Sequence, residues 1–362
     1  MIDSQLPEIR SRFKSAGVVL YCLVAAALVA LLSFGRMTLS SSAAKVESVV
    51  RNHAVPIVDP NPEEPLPKVA WLMTFPNSGT TYTLKLIQQY TNTTTATNYG
   101  NEQGAHGTNA LIRSNLDQGP FPRYPERNMP STYILTKTHC GGTCLACSNP
   151  SDYVETVRSF EIECSQGNRI VNDTKTNVLY SASIPQRAVH LIRNPFDNFV
   201  ARLHLQQKRF ESKHKAEQMT KFNNSKAGFQ AWCDSHDRMG LKDELASRYM
   251  DDELWSLAKD LPCHAEFIRY TWWHNLVIDV TRQRKMPVHY LYYEDYAHNY
   301  NKTVDGLFRF LELVPANGAE PPEFITGKHY GDYFEPHHVE LAGRLVKLLA
   351  SPESWALLSH YF

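Results

Sequence analysis

An apolar segment that ends in a tight turn and continues into a helical pattern constrains this chain more than any other feature. Residues 71–75 are mostly apolar, residues 76–79 have the composition of a turn, and residues 80–90 fit a helix. A strand, a turn and a helix N-terminus in succession aim several backbone N–H groups at one point, where the helix dipole favours an anion. Nearby hydroxyl groups add donors: Ser78, Thr80 and Thr81. The segment predicts a phosphate or sulfonate site, although a β–turn–helix connection without a ligand also fits it.

Short strand-like segments alternate with longer helix-like segments in the rest of the chain. The predicted strands are Lys68–Phe75, Tyr133–Thr138, Arg187–Ile192 and Val288–Tyr293. The predicted helices are Thr80–Tyr90, Asp197–Lys215, Asp243–Leu261, Ala265–Arg284 and Lys302–Leu313. This alternation indicates βαβ units. It predicts an α/β fold with a P-loop-like, mainly parallel sheet flanked by helices, whose ligands bind beyond the carboxyl ends of the strands.

Two of the predicted strands end in side chains suited to transfer of an anionic group. Lys137 and His139 follow one another at the end of the second strand, where alternation places them on one face. An imidazole can accept a proton near neutral pH, and an ammonium can stabilise developing negative charge. Arg193 follows the third strand, Pro195 closes that strand, and Asp197 can cap the helix that follows. A guanidinium there can bind a phosphate in a bidentate manner, unless a neighbouring carboxylate pairs with it.

These segments, in this order, resemble sulfotransferases. The first is similar to the loop that binds the 5′-phosphosulfate, here Pro76, Asn77, Ser78, Gly79, Thr80, Thr81 and Tyr82. Lys-Thr-His resembles the catalytic segment, and Arg193-Asn-Pro resembles the 3′-phosphate segment. The resemblance implies 3′-phosphoadenosine 5′-phosphosulfate as the co-substrate, no metal, His139 as the general base and Lys137 as a stabiliser of the leaving phosphate. A weaker resemblance, near the C-terminus, implies Lys328 as a cofactor residue. Val288–Tyr296 resembles a strand segment of the family, to which we assign a structural role in the fold and no role in the chemistry.

The chain departs from the family pattern at two positions. Asn77 stands where many members carry Lys, and Ala201 stands where a Ser usually contacts the 3′-phosphate. Arg202 is adjacent, on a helix face that the sequence does not fix. Should His139 be inert, Glu102 and His106 are the next bases to test.

The N-terminus predicts a membrane anchor. Ala16 to Phe34 carries no charged residue and is about as long as a helix needs to cross a hydrocarbon core of about 30 Å. Basic residues precede it, which favours a cytoplasmic N-terminus. A cleaved signal peptide ending near Ala44 is the alternative. The expected organisation is a tail (1–15), an anchor (16–34), a Pro-rich stem (35–66) and a sulfotransferase domain (67–362).

Cysteines and glycosylation motifs agree with a lumenal domain. Beyond Cys22 the cysteines are even in number, which suggests disulfides in an oxidising compartment: Cys140, Cys144, Cys147, Cys164, Cys233 and Cys263. The first three also have the spacing of a zinc half-site, although no second pair completes it. N-x-[ST] motifs occur at Asn92, Asn172, Asn223 and Asn301. The expected location is the Golgi membrane, as a single-pass type II protein.

Charge and resemblance together limit the partners. Lys plus Arg and Asp plus Glu are both 37, so no basic excess points to nucleic acid. Membrane-anchored sulfotransferases mostly act on carbohydrates, which predicts a carbohydrate or glycoconjugate acceptor, and less readily a protein tyrosine. Two alternatives stay open. A lumenal glycosyltransferase shares the anchor and stem, and an inactive nucleotide-binding or adhesion protein would agree with Asn77 and Ala201.

Overall fold

The computed structural model describes residues 67–102, 119–123, 127–141, 156–171, 174–241, 251–325 and 330–362. The predicted anchor and stem lie outside these residues, as do His106, Cys144, Cys147, Asn172 and Lys328. Within the described ranges, no helix is both long and apolar enough to cross a membrane.

A six-stranded, mainly parallel sheet confirms the predicted α/β architecture. The strands of the described chain are β1 (Lys68–Thr74), β2 (Ala96–Thr97), β3 (Phe121–Pro122), β4 (Tyr133–Thr138), β5 (Gln166–Val171), β6 (Thr174–Leu179), β7 (Pro185–Ile192) and β8 (Val288–Tyr292). The main sheet has the order β3-β2-β4-β1-β7-β8, in which β2 and β3 are antiparallel and the other pairs are parallel. The antiparallel pair β5-β6 forms a separate hairpin. The carboxyl ends of β4, β1 and β7 therefore meet at one edge, where such sheets bind ligands.

Helices occupy both faces of this sheet. They are α1 (Thr80–Thr91), α2 (Val157–Ser165), α3 (Pro195–Ser212), α4 (Ala216–Lys221), α5 (Lys226–Leu241), α6 (Asp252–Ala258), α7 (His264–Gln283), α8 (Asp295–His298), α9 (Tyr300–Leu311), α10 (Pro336–Leu349) and α11 (Pro352–Leu358). Short 3₁₀ turns occur at Gly100–Glu102, Gly331–Tyr333 and Ser359–Tyr361.

Strand β1 shows why the sheet is covered on both sides. Trp71 and Met73 belong to one apolar cluster, together with side chains of α3, α5, α7 and α10. Ala70 and Leu72 belong to the other, together with side chains of α1 and α9. Successive side chains of a strand point to opposite faces, so this alternation fixes β1 as a central strand with two buried faces. Its carboxyl end is consequently held rigidly.

The cysteines described by the structure form disulfides. Cys140 pairs with Cys164, and Cys233 pairs with Cys263. Because Cys140 is already bonded to Cys164, the interpretation of a zinc half-site that included it is wrong. No group of three or more metal-binding side chains occurs in the described part of the chain.

Candidate active site

The loop after β1 is built as an anion-binding turn. Gly79 has φ 100°, and a Cβ added there would lie 2.1 Å from Cδ2 of Tyr293. Thr83 is the first helical residue to donate its N–H back into the turn, to the Gly79 carbonyl at 3.1 Å. Helix α1 has no side-chain cap and no acidic residue in its first turn. The N–H groups of Gly79, Thr80, Thr81 and Tyr82 have no hydrogen-bond partner among the described residues. They form a positive site at a helix N-terminus.

The predicted hydroxyl donors of this loop are partly engaged by the protein. Ser78 is buried, and its Oγ accepts a hydrogen bond of 3.1 Å from Asn198 Nδ2, which also donates to the Pro76 carbonyl at 2.9 Å. Thr80 Oγ1 lies 2.9 Å from Thr74 Oγ1, whereas Thr81 is exposed. Asn198 thus ties the loop to α3, and the backbone N–H groups remain its main donors.

We expect Gly79→Ala to weaken anion binding at this loop and to destabilise the fold. An L-residue at this φ costs about 1–3 kcal/mol, and the added Cβ displaces the Tyr293 ring. Gly318→Ala is the matched control, because Gly318 also has a positive φ, 70°, but a Cβ added there would meet nothing within 4 Å. Thermal unfolding should show a loss of stability in both variants. Titration with adenosine 3′,5′-bisphosphate should show weaker binding in Gly79→Ala alone, and equal affinity in the two would contradict this explanation.

Arg193 lies at the end of β7 beside the same loop. It is 7% exposed, its Nη1 donates to the Asn77 carbonyl at 2.7 Å, and its guanidinium lies 4.7 Å from the centre of the Tyr293 ring. Its buried Nε has no hydrogen-bond partner. No carboxylate of the described residues forms an ion pair with it. A buried, unneutralised guanidinium with an unpaired N–H next to a helix N-terminus fits a phosphate group.

The turn after Arg193 shows that the predicted helix cap, Asp197, is wrong. Helix α3 begins at Pro195, and its cap is Asn194, whose Oδ1 accepts from the N–H groups of Phe196 and Asp197. The sequence predicts Asp197 as the cap, but its Oδ1 accepts from the N–H of Tyr330 at 3.0 Å. Asn is as good a cap as Asp, and Pro195 at the first helical position moves the helix start upstream.

His139 is connected to the loop through Thr74. Its Nδ1 lies 2.9 Å from both the carbonyl oxygen and Oγ1 of Thr74. A carbonyl only accepts, so the proton resides on Nδ1 and Nε2 carries the lone pair. Burial, and then the charge of Lys137, lower the pKa of His139 to about 4. The imidazole is therefore neutral at physiological pH, with Nε2 ready to accept a proton.

Other side chains fix the position of His139. The Trp273 indole N–H donates to the His139 carbonyl oxygen at 2.8 Å. The backbone N–H of His139 donates to the Tyr99 hydroxyl at 3.3 Å. The Tyr99 ring stacks near the imidazole, with centroids 6.1 Å apart, and the Lys137 ammonium lies 5.4 Å from the same ring. Cys140, the next residue, is held by its disulfide to Cys164.

Lys137 and Glu102 form an ion pair beside this group. Glu102 also accepts a hydrogen bond of 2.9 Å from Thr97 Oγ1. Burial is the largest single influence on the pKa of Glu102 and would raise it, but the charge of Lys137 and the hydrogen bonds from Lys137 and Thr97 together outweigh burial and lower the pKa. The structure thus brings the predicted catalytic residues His139 and Lys137 together with Glu102, the second candidate base.

Arg202 forms a buried ion pair. It pairs with Glu266, which is buried and also contacts Arg269 at 3.3 Å. Burial would raise the pKa of the Glu266 carboxyl, but the charges of Arg202 and Arg269 lower it to about 2. The Arg202 guanidinium is thus engaged by a carboxylate of the protein, unlike that of Arg193.

We expect Arg202→Met to destabilise the protein by about 3–5 kcal/mol, because it leaves the Glu266 carboxylate buried without its main partner. Since the pKa of Glu266 is lower in the folded state than its ordinary value of 4.5, the pair stabilises the fold above that pH. This contribution declines as the pH falls from there towards 2. Urea unfolding at pH 7 measures the loss. Arg282→Met, whose partners Asp279 and Glu353 are more exposed, should change stability little, and equal losses in both variants would contradict the prediction.

Several site residues carry no sequence signal of their own. These residues contact the loop, His139 or Arg193 from different parts of the chain: Thr74, Tyr99, Asn198, Tyr270, Trp273 and Tyr293. The one hint in the sequence is the Tyr-Glu-Asp segment after β8, whose pattern indicates architecture.

A comparison with protein families assigns the chain to one of them. The family described as a sulfotransferase domain matches residues 67–321, so the chain belongs to the sulfotransferase family. No curated protein matches the chain. The match covers the phosphate loop, the Lys-Thr-His segment and Arg193, and it supports transfer of a sulfonate group in general.

Proposed function

We propose that this protein transfers a sulfonate group from 3′-phosphoadenosine 5′-phosphosulfate to a hydroxyl, or an amine, of a carbohydrate or glycoconjugate. The observation that carries the proposal is the joint geometry at one edge of the sheet. There, N–H groups without a partner among the described residues lie at the α1 N-terminus, and the unneutralised Arg193 contacts the same loop at the Asn77 carbonyl. Thr74 joins the neutral His139 to Thr80 of that loop. Family membership argues against the glycosyltransferase alternative.

The residues of the site suit the two phosphate ends of this donor. The N–H groups of Gly79 to Tyr82 would hold the 5′-phosphosulfate, and Arg193 would hold the 3′-phosphate. Lys328 stays a predicted cofactor residue outside the described chain. When bound, the donor supplies the sulfonate and a bisphosphate leaving group. Fixed donors and positive charge stabilise such a leaving group without reorganisation.

His139 is the proposed general base. Its Nε2 takes the proton of the acceptor hydroxyl as the acceptor oxygen bonds to sulfur and the sulfur–oxygen bond to the phosphate breaks. The Nδ1–H bond to the Thr74 carbonyl holds the ring in the required tautomer and stabilises the imidazolium that forms. Lys137 is proposed to stabilise the departing phosphate oxygen, for which it would exchange its contact with Glu102.

The proposal is tested with the full chain in detergent. Calorimetry with adenosine 3′,5′-bisphosphate measures donor binding, and labelled donor with a panel of glycans and tyrosine peptides measures transfer. Binding together with transfer to a glycan supports the proposal. Binding without transfer to any acceptor would favour the inactive nucleotide-binding alternative. A folded protein that does not bind the bisphosphate would overturn the donor assignment.

The activity should persist to unusually low pH. Because the pKa of His139 is about 4, the base form predominates above that pH, and the acidic limb of kcat/KM in the free enzyme should lie well below 6.5. Bound phosphates raise this pKa, so the limb of kcat should lie at a higher pH than that of kcat/KM. Replacing Lys137 with Met removes a charge that lowers the pKa, and should move the kcat/KM limb upward. A limb near 6.5 in the unmodified protein would contradict the assignment.

We also propose that the protein is a type II Golgi membrane protein with a lumenal catalytic domain. The apolar run 16–34 supports the anchor, and the two disulfides agree with an oxidising lumen. Asn92, Asn223 and Asn301 are exposed, as glycosylation requires. Removal of N-linked glycans should increase gel mobility, and the domain should resist protease in sealed microsomes. Digestion of the domain by protease in the absence of detergent would contradict the proposed lumenal orientation.

A further inference from the structure

The Arg193–Asn194 peptide group is held at both of its polar atoms by side chains from other elements. Its carbonyl accepts a hydrogen bond of 2.6 Å from the Tyr270 hydroxyl on α7. Its N–H donates to Glu294 Oε1, just after β8, at 2.8 Å. Both contacts act on the peptide from which the Arg193 side chain leaves the backbone. They fix the plane of that peptide and with it the direction of the side chain.

Glu294 is itself held by a further contact. Its Oε2 accepts a hydrogen bond of 2.8 Å from the Tyr361 hydroxyl, in the turn after α11. Burial and the Glu294 charge raise the pKa of the Tyr361 phenol, so this phenol remains a donor. The two carboxylate oxygens of Glu294 thus connect the turn after α11 to the turn that carries Arg193.

Arg193 depends on such indirect support. Among the described residues, no carboxylate pairs with its guanidinium, and the groups that direct it are the Asn77 carbonyl and the Tyr293 ring. A direct ion pair would neutralise the charge that the phosphate needs. A carboxylate that binds the backbone N–H instead orients the arginine without forming an ion pair with it. Tyr293 is the residue directly before Glu294, so the same segment supplies the ring beside the guanidinium.

We propose that Glu294, held by Tyr361, is a positioning residue for donor binding that acts through Arg193. This inference rests on the proposed function, because it assigns Arg193 to the donor phosphate. The Tyr-Glu-Asp segment then contributes to the site as well as to the architecture.

The test is a double-mutant cycle in the full chain, with the dissociation constant of adenosine 3′,5′-bisphosphate as the readout. Glu294→Ala should weaken binding about tenfold, the loss expected for one hydrogen bond to a charged group. In the Arg193→Ala background it should have no further effect, because the residue it orients is absent. Glu294→Gln keeps an acceptor for the Asn194 N–H and should bind within about threefold of the unmodified protein. Glu353→Ala, an exposed carboxylate paired with Arg282, is the control and should bind normally.

A general structural role would give a different result. Glu294→Ala would then weaken bisphosphate binding equally with and without Arg193, and Glu294→Gln would bind as weakly as Glu294→Ala. Either result overturns the inference, and so does an unchanged affinity in Glu294→Ala. If Glu294→Ala does not fold, Tyr361→Phe removes one hydroxyl and should weaken binding only when Arg193 is present. Failure of the unmodified protein to bind the bisphosphate is seen before any variant is compared. It overturns the donor assignment, and this inference with it.

Discussion

Arg193→Ala is expected to lower the affinity for adenosine 3′,5′-bisphosphate by at least about 100-fold. Each hydrogen bond between charged groups contributes about 1.5–3 kcal/mol, and a bidentate contact supplies two. The guanidinium is already buried and its Nε is unpaired, so the desolvation cost was met on folding. Most of the interaction energy therefore appears as affinity. Calorimetry on the full chain measures the change.

Two variants separate the effect of geometry from that of charge. Arg193→Lys keeps the charge but loses the planar pair of donors, and should recover only part of the affinity. Arg187→Ala is a matched control on the same strand, because Arg187 pairs with Glu312 at 2.7 Å and stacks on Tyr133 instead of facing the loop. Equal losses in Arg187→Ala and Arg193→Ala would show that a general loss of folding, not a phosphate contact, explains the result.

The central sheet could be predicted from the sequence because its strands are locally encoded. The predicted Tyr133–Thr138 matches β4 residue for residue. Each of the other three predicted strands shares one end with β1, β7 or β8 and differs by one or two residues at the other end. Strands β2 and β3 could not be predicted, because each has two residues and a segment that short shows no periodic pattern. The hairpin of β5 and β6 is polar over much of its length and carries little hydrophobic alternation.

The contacts that define the site could not be predicted in the same way. The loop, His139 and Arg193 can be found because each follows a recognisable strand. The residues that hydrogen-bond to these segments are distant in sequence. Asn198 donates to the Pro76 carbonyl, Trp273 donates to the His139 carbonyl, and Glu294 accepts from the Asn194 N–H. Such pairs depend on how helices and strands pack, which no local pattern records. For the same reason, the direction of Arg202 follows from its pairing with Glu266 and not from the sequence around it.

His139→Ala is expected to lower kcat by about 100- to 10,000-fold, the usual contribution of a general base, with little change in bisphosphate affinity. The imidazole contacts Thr74 and Tyr99 but is not one of the groups assigned to the phosphates, so its removal should separate transfer from donor binding. His337→Ala, an exposed histidine on α10, should leave both unchanged. Glu102→Gln tests the other base in the same assay. Retained transfer in His139→Ala, together with its loss in Glu102→Gln, would move the proton-accepting role to Glu102 and leave His139 as a structural partner of Thr74.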